Sequence, residues 1–129
     1  MTDRKPVILI VEDSAVIRMG AADLVTSAGY EALEASNADE AIRLLEARTD
    51  IALVFTDVGM PGTMDGIKLA HYIRNRWPPV KLIVASGRAI IEESQLPEGS
   101  RFFPKPYSEN TIVEEMRRLV PIQIEKHSI

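Results

Sequence analysis

Residues 7–14 read VILIVEDS, and the fold can be built outward from them. Val7 to Val11 is an unbroken apolar run of strand length. It is too short for a signal-peptide core, which takes about 7–15 apolar residues, or for a membrane-spanning helix, which takes about 20. Without polar alternation it reads as a strand buried on both faces. Glu12 and Asp13 end the strand, and Ser14 offers a helix N-cap. Ile17, Ala21, Leu24, Val25 and Ala28 then recur at helical spacing, and Gly29 closes the helix. The stretch thus opens a β/α unit.

The alternation repeats. Tyr30–Ala35 reads as a second strand, and Asn37 caps a helix carrying Ala41, Ile42, Leu44 and Leu45. Ile51–Phe55 is the third strand. Met64–Arg76 is the third helix, stopped by Pro78-Pro79. Val80–Ala85 is the fourth strand, Ala89–Ser94 a short fourth helix, and Arg101–Phe103 the fifth strand. Ser108 caps a fifth helix that Pro121 ends. Strands alternating with helices predict an α/β fold, a doubly wound five-stranded parallel sheet flanked by five helices.

The 129 residues predict a single domain with its core over about 6–120 and a C-terminal tail over 121–129. A net charge of −4 gives no support for nucleic-acid or membrane-surface binding. With no cysteine, disulfides, thiolate zinc sites and cysteine nucleophiles are excluded. The reading favours the cytoplasm.

In open parallel sheets, sites form outside the carboxyl ends of the strands. Glu12 and Asp13 follow the first strand, Asp57 the third, Ser86 the fourth and Lys105 the fifth. Each alone has a plainer reading: acids at a helix start, turn formers, a surface lysine. Together they place three acids, a hydroxyl and a lysine at one edge. Crowded carboxylates resist ionising unless a cation compensates. Mg²⁺ takes oxygen ligands and is usually held by one or two carboxylates. Lys105 and Ser86 suit anionic oxygens, which makes the set equipment for phosphoryl transfer. A carboxylate can itself be the nucleophile.

These residues resemble the receiver domain, the response-regulator half of two-component signalling. The motifs are an acidic pair after the first strand, Asp57-x-x-Met60-Pro61, a following Asp65-Gly66, Ser86-Gly87 and Lys105-Pro106. The likeness covers about residues 6–120 and is closest to the single-domain type. It implies a flavodoxin-like fold with strand order 2-1-3-4-5.

It also implies roles. Asp57 is the phosphoacceptor. Asp13 and Asp57 bind Mg²⁺ (Mn²⁺ can substitute), Glu12 supports it, and the Gly59 carbonyl completes the protein ligands. Ser86 and Lys105 bind phosphoryl oxygens. Pro106 follows a cis bond. Ser86 and Phe102 form a switch to the surface of the fourth helix, fifth strand and fifth helix. Gly59 and Arg88 flank the phosphoryl group and are candidates for tuning its lifetime; a solvated Arg88 is the alternative. The implied partners are a sensor histidine kinase or histidine phosphotransfer protein and an unidentified downstream protein, with homodimerisation on activation left open. Such a chain is no enzyme in the ordinary sense, although it catalyses its own phosphorylation and dephosphorylation.

The chain departs from the common pattern in four places. Glu12 stands where aspartate is frequent, the loop MPGTMDG is one residue longer, Phe102 lacks a tyrosine hydroxyl, and Ser86 lacks a threonine methyl. Rival functions fit less well. An aspartyl phosphatase wants a second acid at position 59, which is glycine, and a flavin module wants a phosphate-cradling loop where Glu12-Asp13 stand. The remaining alternative is a receiver-like interaction module that works without phosphorylation. His71, His127 and Trp77 read as surface or packing residues.

Overall fold

All five residues of β1 (Val7–Val11) are buried, and the register of its neighbours explains why. β1 lies between β2 (Glu31–Ala35) and β3 (Ile51–Asp57), pairing in parallel with both. β4 (Lys81–Ser86) and β5 (Arg101–Pro104) complete a five-stranded parallel sheet of order β2-β1-β3-β4-β5. The structure, a computed structural model, describes residues 5–57, 66–86 and 95–122.

Four helices are present among the described residues: α1 (Ala15–Ser27), α2 (Ala38–Ala47), α3 (Gly66–Arg76) and α4 (Glu109–Leu119). The helix expected over Ala89–Ser94 lies outside the described residues, so α4 is the one expected fifth. The loop MPGTMDG, up to Asp65, also lies outside them, as do Gly59, Arg88 and His127.

Strand alternation sorts the core into two clusters, one on each side of the sheet. Val7, Leu9, Val11, Val54, Leu82 and Val84 face α2 and α3, meeting Ala41, Leu45, Leu69 and Ile73. Ile8, Ile10, Leu53, Phe55, Ile83 and Ala85 face α1 and α4, meeting Val25, Ile112 and Met116.

The expected caps are formed. Ser14, Asn37 and Ser108 accept hydrogen bonds from the backbone N–H of Ile17, Glu40 and Thr111. Glu40 also reaches back to accept from the Ser36 N–H at 2.6 Å, so the start of α2 is closed from both sides. Gly29, after α1, has φ 105°. A side chain there is strained, and its Cβ would stand 2.9 Å from Ile122 Cδ1.

Three strand boundaries differ from expectation at the functional edge. β3 runs on through Thr56 and Asp57, β4 includes Ser86, and β5 includes Pro104. The cause is pairing: Thr56 lies opposite Val11, Asp57 opposite Ala85, and Ser86 opposite Pro104. At the other edge, β2 begins at Glu31 and β4 at Lys81. Tyr30 instead lies buried just before the strand, its hydroxyl donating to the Val120 carbonyl at 2.7 Å.

Trp77 packs partly buried against the α2–α3 core, with its ring 6.1 Å from that of Tyr72. It lines a groove with Ile51 and Lys81, where strands begin, at the end of the sheet away from Asp57. His71 is exposed and its Nε2 meets the Gln95 carbonyl at 2.8 Å. Among the described residues, no helix is long and apolar enough to cross a membrane.

Candidate functional site

Two backbone features bring the chemistry to one place. The β3–β4–β5 ladder ends in Asp57, Ser86 and Pro104, and the Lys105 N–H continues it by donating to the Ser86 carbonyl at 2.8 Å. On the other side, the Glu12 N–H donates to the Ala35 carbonyl at 3.0 Å, holding the turn after β1 against the end of β2. The Lys105–Pro106 peptide bond is cis.

The side chains then meet. Lys105 Nζ donates to Asp57 Oδ2 at 2.6 Å and lies 3.9 Å from Glu12 Oε1. Glu12 is buried, Lys105 and Asp57 are partly so, and Asp13 is exposed beside them. Ser86 is buried at 3% exposure. Phe102 pairs with Val84 and packs against the α2–α3 core, so the register puts Phe102 and Ser86 on the same face of adjacent strands.

Electrostatics follow burial and crowding. Burial drives the Glu12 carboxyl up from 4.5 to about 7; the Ser14 N–H, donating to Oε2 at 3.1 Å, opposes this, while Asp13 and Asp57 reinforce it. Burial pulls the Lys105 ammonium down. The Asp57 hydrogen bond and charge, with Glu12 behind them, outweigh it and raise the group above the usual lysine range.

Glu12 thus resists ionising beside Asp57 even with Lys105 near both, so a further cation at this edge would be favoured, and every carboxylate donor is a hard oxygen. Among the described residues, no three acidic or histidine side chains close into a metal cluster. A hydrated Mg²⁺ does not need that many, because it keeps several waters and takes one or two carboxylates. The donor set fits such an ion.

Three neighbours carried no expectation from sequence. Tyr107 is half-buried, its ring 5.9 Å from that of Phe55, and with Glu12, Asp57 and Lys105 it lines a cavity of about 20 Å³. Burial pushes its phenol up. Thr56 is buried at 1% exposure directly before Asp57. Arg18 donates from Nη1 to the Glu12 carbonyl at 2.8 Å. An aromatic two residues after Lys105 was the only available signal for Tyr107. The partners of Arg18 are set by the fold.

Comparison with known proteins points the same way. The family model for the response regulator receiver domain matches residues 8–117. Chemotaxis protein CheY of Thermotoga maritima is 36% identical over 117 residues, spanning 87% of this chain and 95% of that protein. Sensor kinase CckA of Brucella abortus is 33% identical over 122 residues, which are 90% of this chain and 13% of the kinase. Transcriptional regulatory protein PdtaR of Mycobacterium tuberculosis is 35% identical over 109 residues, 82% of this chain and 52% of that protein. The chain thus spans nearly all of one relative, about half of another and a small part of the third.

Among solved structures, a response regulator receiver protein from Sinorhizobium medicae superposes with a TM-score of 0.83 at 25% identity, covering 89% of this chain and 94% of that one. One from Pseudomonas putida gives 0.80 at 29%, covering 91% and 99%. With strand order, edge chemistry and family match in agreement, the chain belongs to the response regulator receiver domain family of two-component signalling.

Proposed function

We propose that this chain, a single domain with its core over about 6–120, accepts a phosphoryl group on Asp57 from a phosphohistidine of a sensor kinase or phosphotransfer protein. The observation that carries the reading is the 2.6 Å contact between Lys105 and Asp57 beside a buried acid at the sheet's carboxyl edge. An Asp57 carboxylate oxygen attacks phosphorus as the P–N bond breaks, and the histidine nitrogen leaves with the bonding pair. Lys105 holds one phosphoryl oxygen and the Ser86 hydroxyl another. Asp13 and Asp57, with Glu12 in support and the Gly59 carbonyl as a further ligand, would hold Mg²⁺. When bound, that ion neutralises charge on the transferring oxygens.

Ser86 and Phe102 would then carry the change to the surface of β5 and α4, for a downstream protein or a second copy. Gly59 and Arg88 would set how long the phosphoryl group stays. Water returns Asp57 to its carboxylate. The cytoplasm, where such kinases present their phosphohistidine, is the proposed location.

Support for a protein phosphodonor comes from α1. Val16, Ile17 and Met19 are 79%, 49% and 61% exposed, an apolar patch on the helix that starts at the site.

Incubation with Mg²⁺ and acetyl phosphate, followed by intact mass, tests the reading. Wild type should gain one phosphoryl group and Asp57→Asn none. No adduct in wild type, and no response to beryllofluoride, would leave the phosphorylation-independent interaction module as the function.

A further inference from the structure

The acidic turn after β1 is held by a residue outside it. Arg18 lies one turn into α1, and its side chain is 19% exposed. Its guanidinium is forked between two elements: Nη1 donates to the Glu12 carbonyl at 2.8 Å, and Nε donates to Glu34 Oε1 on β2 at 3.1 Å. Glu34 is 40% exposed and touches none of the reacting groups described.

With Arg18 in place, Glu12 is fixed at each of its polar groups. Its N–H meets the Ala35 carbonyl, its carbonyl meets Arg18, and its carboxylate meets the Ser14 N–H. The first and second of these tie the turn to β2, directly and through Glu34. Nothing in the sequence spacing singles out Arg18, because one partner is 6 residues away and the other 16.

We propose that Arg18 is a positioning residue for divalent-cation binding: by clamping the Glu12 carbonyl to Glu34, it holds the Glu12-Asp13 turn at the distance from Asp57 that a hydrated cation requires. The inference rests on the Mg²⁺-dependent reading above and extends it to a residue that touches neither cation nor phosphoryl group. The planar fork is what suits arginine. Its donors serve two acceptors at once, whereas a lysine ammonium is a compact point charge that gives up one of them. Groups that orient a ligand typically change metal affinity 10–100-fold when removed.

The test uses metal-free full-length protein and Mn²⁺ as the probe, with bound ion read from loss of the free-ion electron paramagnetic resonance signal. Arg18→Met should raise the Mn²⁺ Kd about tenfold or more, with far-UV circular dichroism unchanged. Arg18→Lys should fall between it and wild type, and Glu34→Gln should weaken binding measurably but less than Arg18→Met does, since it only loosens the clamp. Phosphorylation of Arg18→Met by acetyl phosphate should be deficient at limiting Mg²⁺ and recover at saturating Mg²⁺. A folded Arg18→Met with a Kd within twofold of wild type would overturn the inference. If Arg18→Met does not fold, an unchanged Kd in Arg18→Lys and Glu34→Gln overturns it equally. Wild type that binds no Mn²⁺ overturns the metal reading and this inference together; wild type that binds it while folded variants match it overturns this inference alone.

Discussion

Lys105 pairs with Asp57 at 2.6 Å, and in the proposed reaction its ammonium would meet an arriving phosphoryl oxygen. Removing a preorganised donor of that kind typically lowers a rate about 10²–10³-fold. Lys105→Met is therefore expected to take up phosphate from acetyl phosphate on the order of 10²-fold more slowly than wild type, timed by quenched samples and intact mass. An unaltered rate would assign Lys105 to structure alone. At this scale the sequence was informative about placement: Glu12, Asp57, Ser86 and Lys105 were all legible as neighbours at one sheet edge. It was silent where a residue's partners are brought to it only by the fold. Arg18 looked like any helix arginine, and Tyr107 like a residue after a proline, until the fold brought Glu34 and Phe55 to them.

At the level of elements, β5 and α4 are joined by a charged cluster. Glu115, buried on α4, receives two donor atoms of Arg118 and pairs with Arg101 of β5 at 3.1 Å. The Arg118 hydrogen bond leads in holding its carboxyl below 4.5, against the opposing effect of burial, and Arg101 adds to it. A carboxyl lowered in this way stabilises the fold above its unfolded pKa and loses that contribution as pH falls through the folded value. Urea unfolding should therefore show Glu115→Gln less stable than wild type at neutral pH, with the gap closing as the solution is acidified below 4.5. A gap that stays constant with pH would mean the pair acts by packing. Element boundaries divide along similar lines. Helix starts were legible because Ser14, Asn37 and Ser108 cap by local chemistry. β3 and β4 were read short because Thr56, Asp57 and Ser86 are polar, while their strand state comes from neighbours distant in sequence.

For the molecule as a whole, the exposed apolar residues of α1 separate two ways of being phosphorylated. A small donor needs only the site, but a protein donor also needs a surface. Val16→Asp is expected to leave uptake from acetyl phosphate unchanged and to slow transfer from a phosphorylated histidine phosphotransfer protein about tenfold, as a lost interface contact does. Equal slowing of both would show that the patch supports the site rather than a partner. The overall fold was the most legible feature of all, because five apolar runs separated by helical patterns leave few arrangements. The Tyr30–Val120 hydrogen bond spans 90 positions and ties the second strand's approach to the end of α4. The face carrying Ile8, Ile10 and Ile83 is covered in part by Ile112 and Met116 of that same helix. During synthesis, then, the first strands leave the ribosome with only α1 to cover that side of their sheet, and the part that Ile112 and Met116 will fill stays open until α4 has emerged.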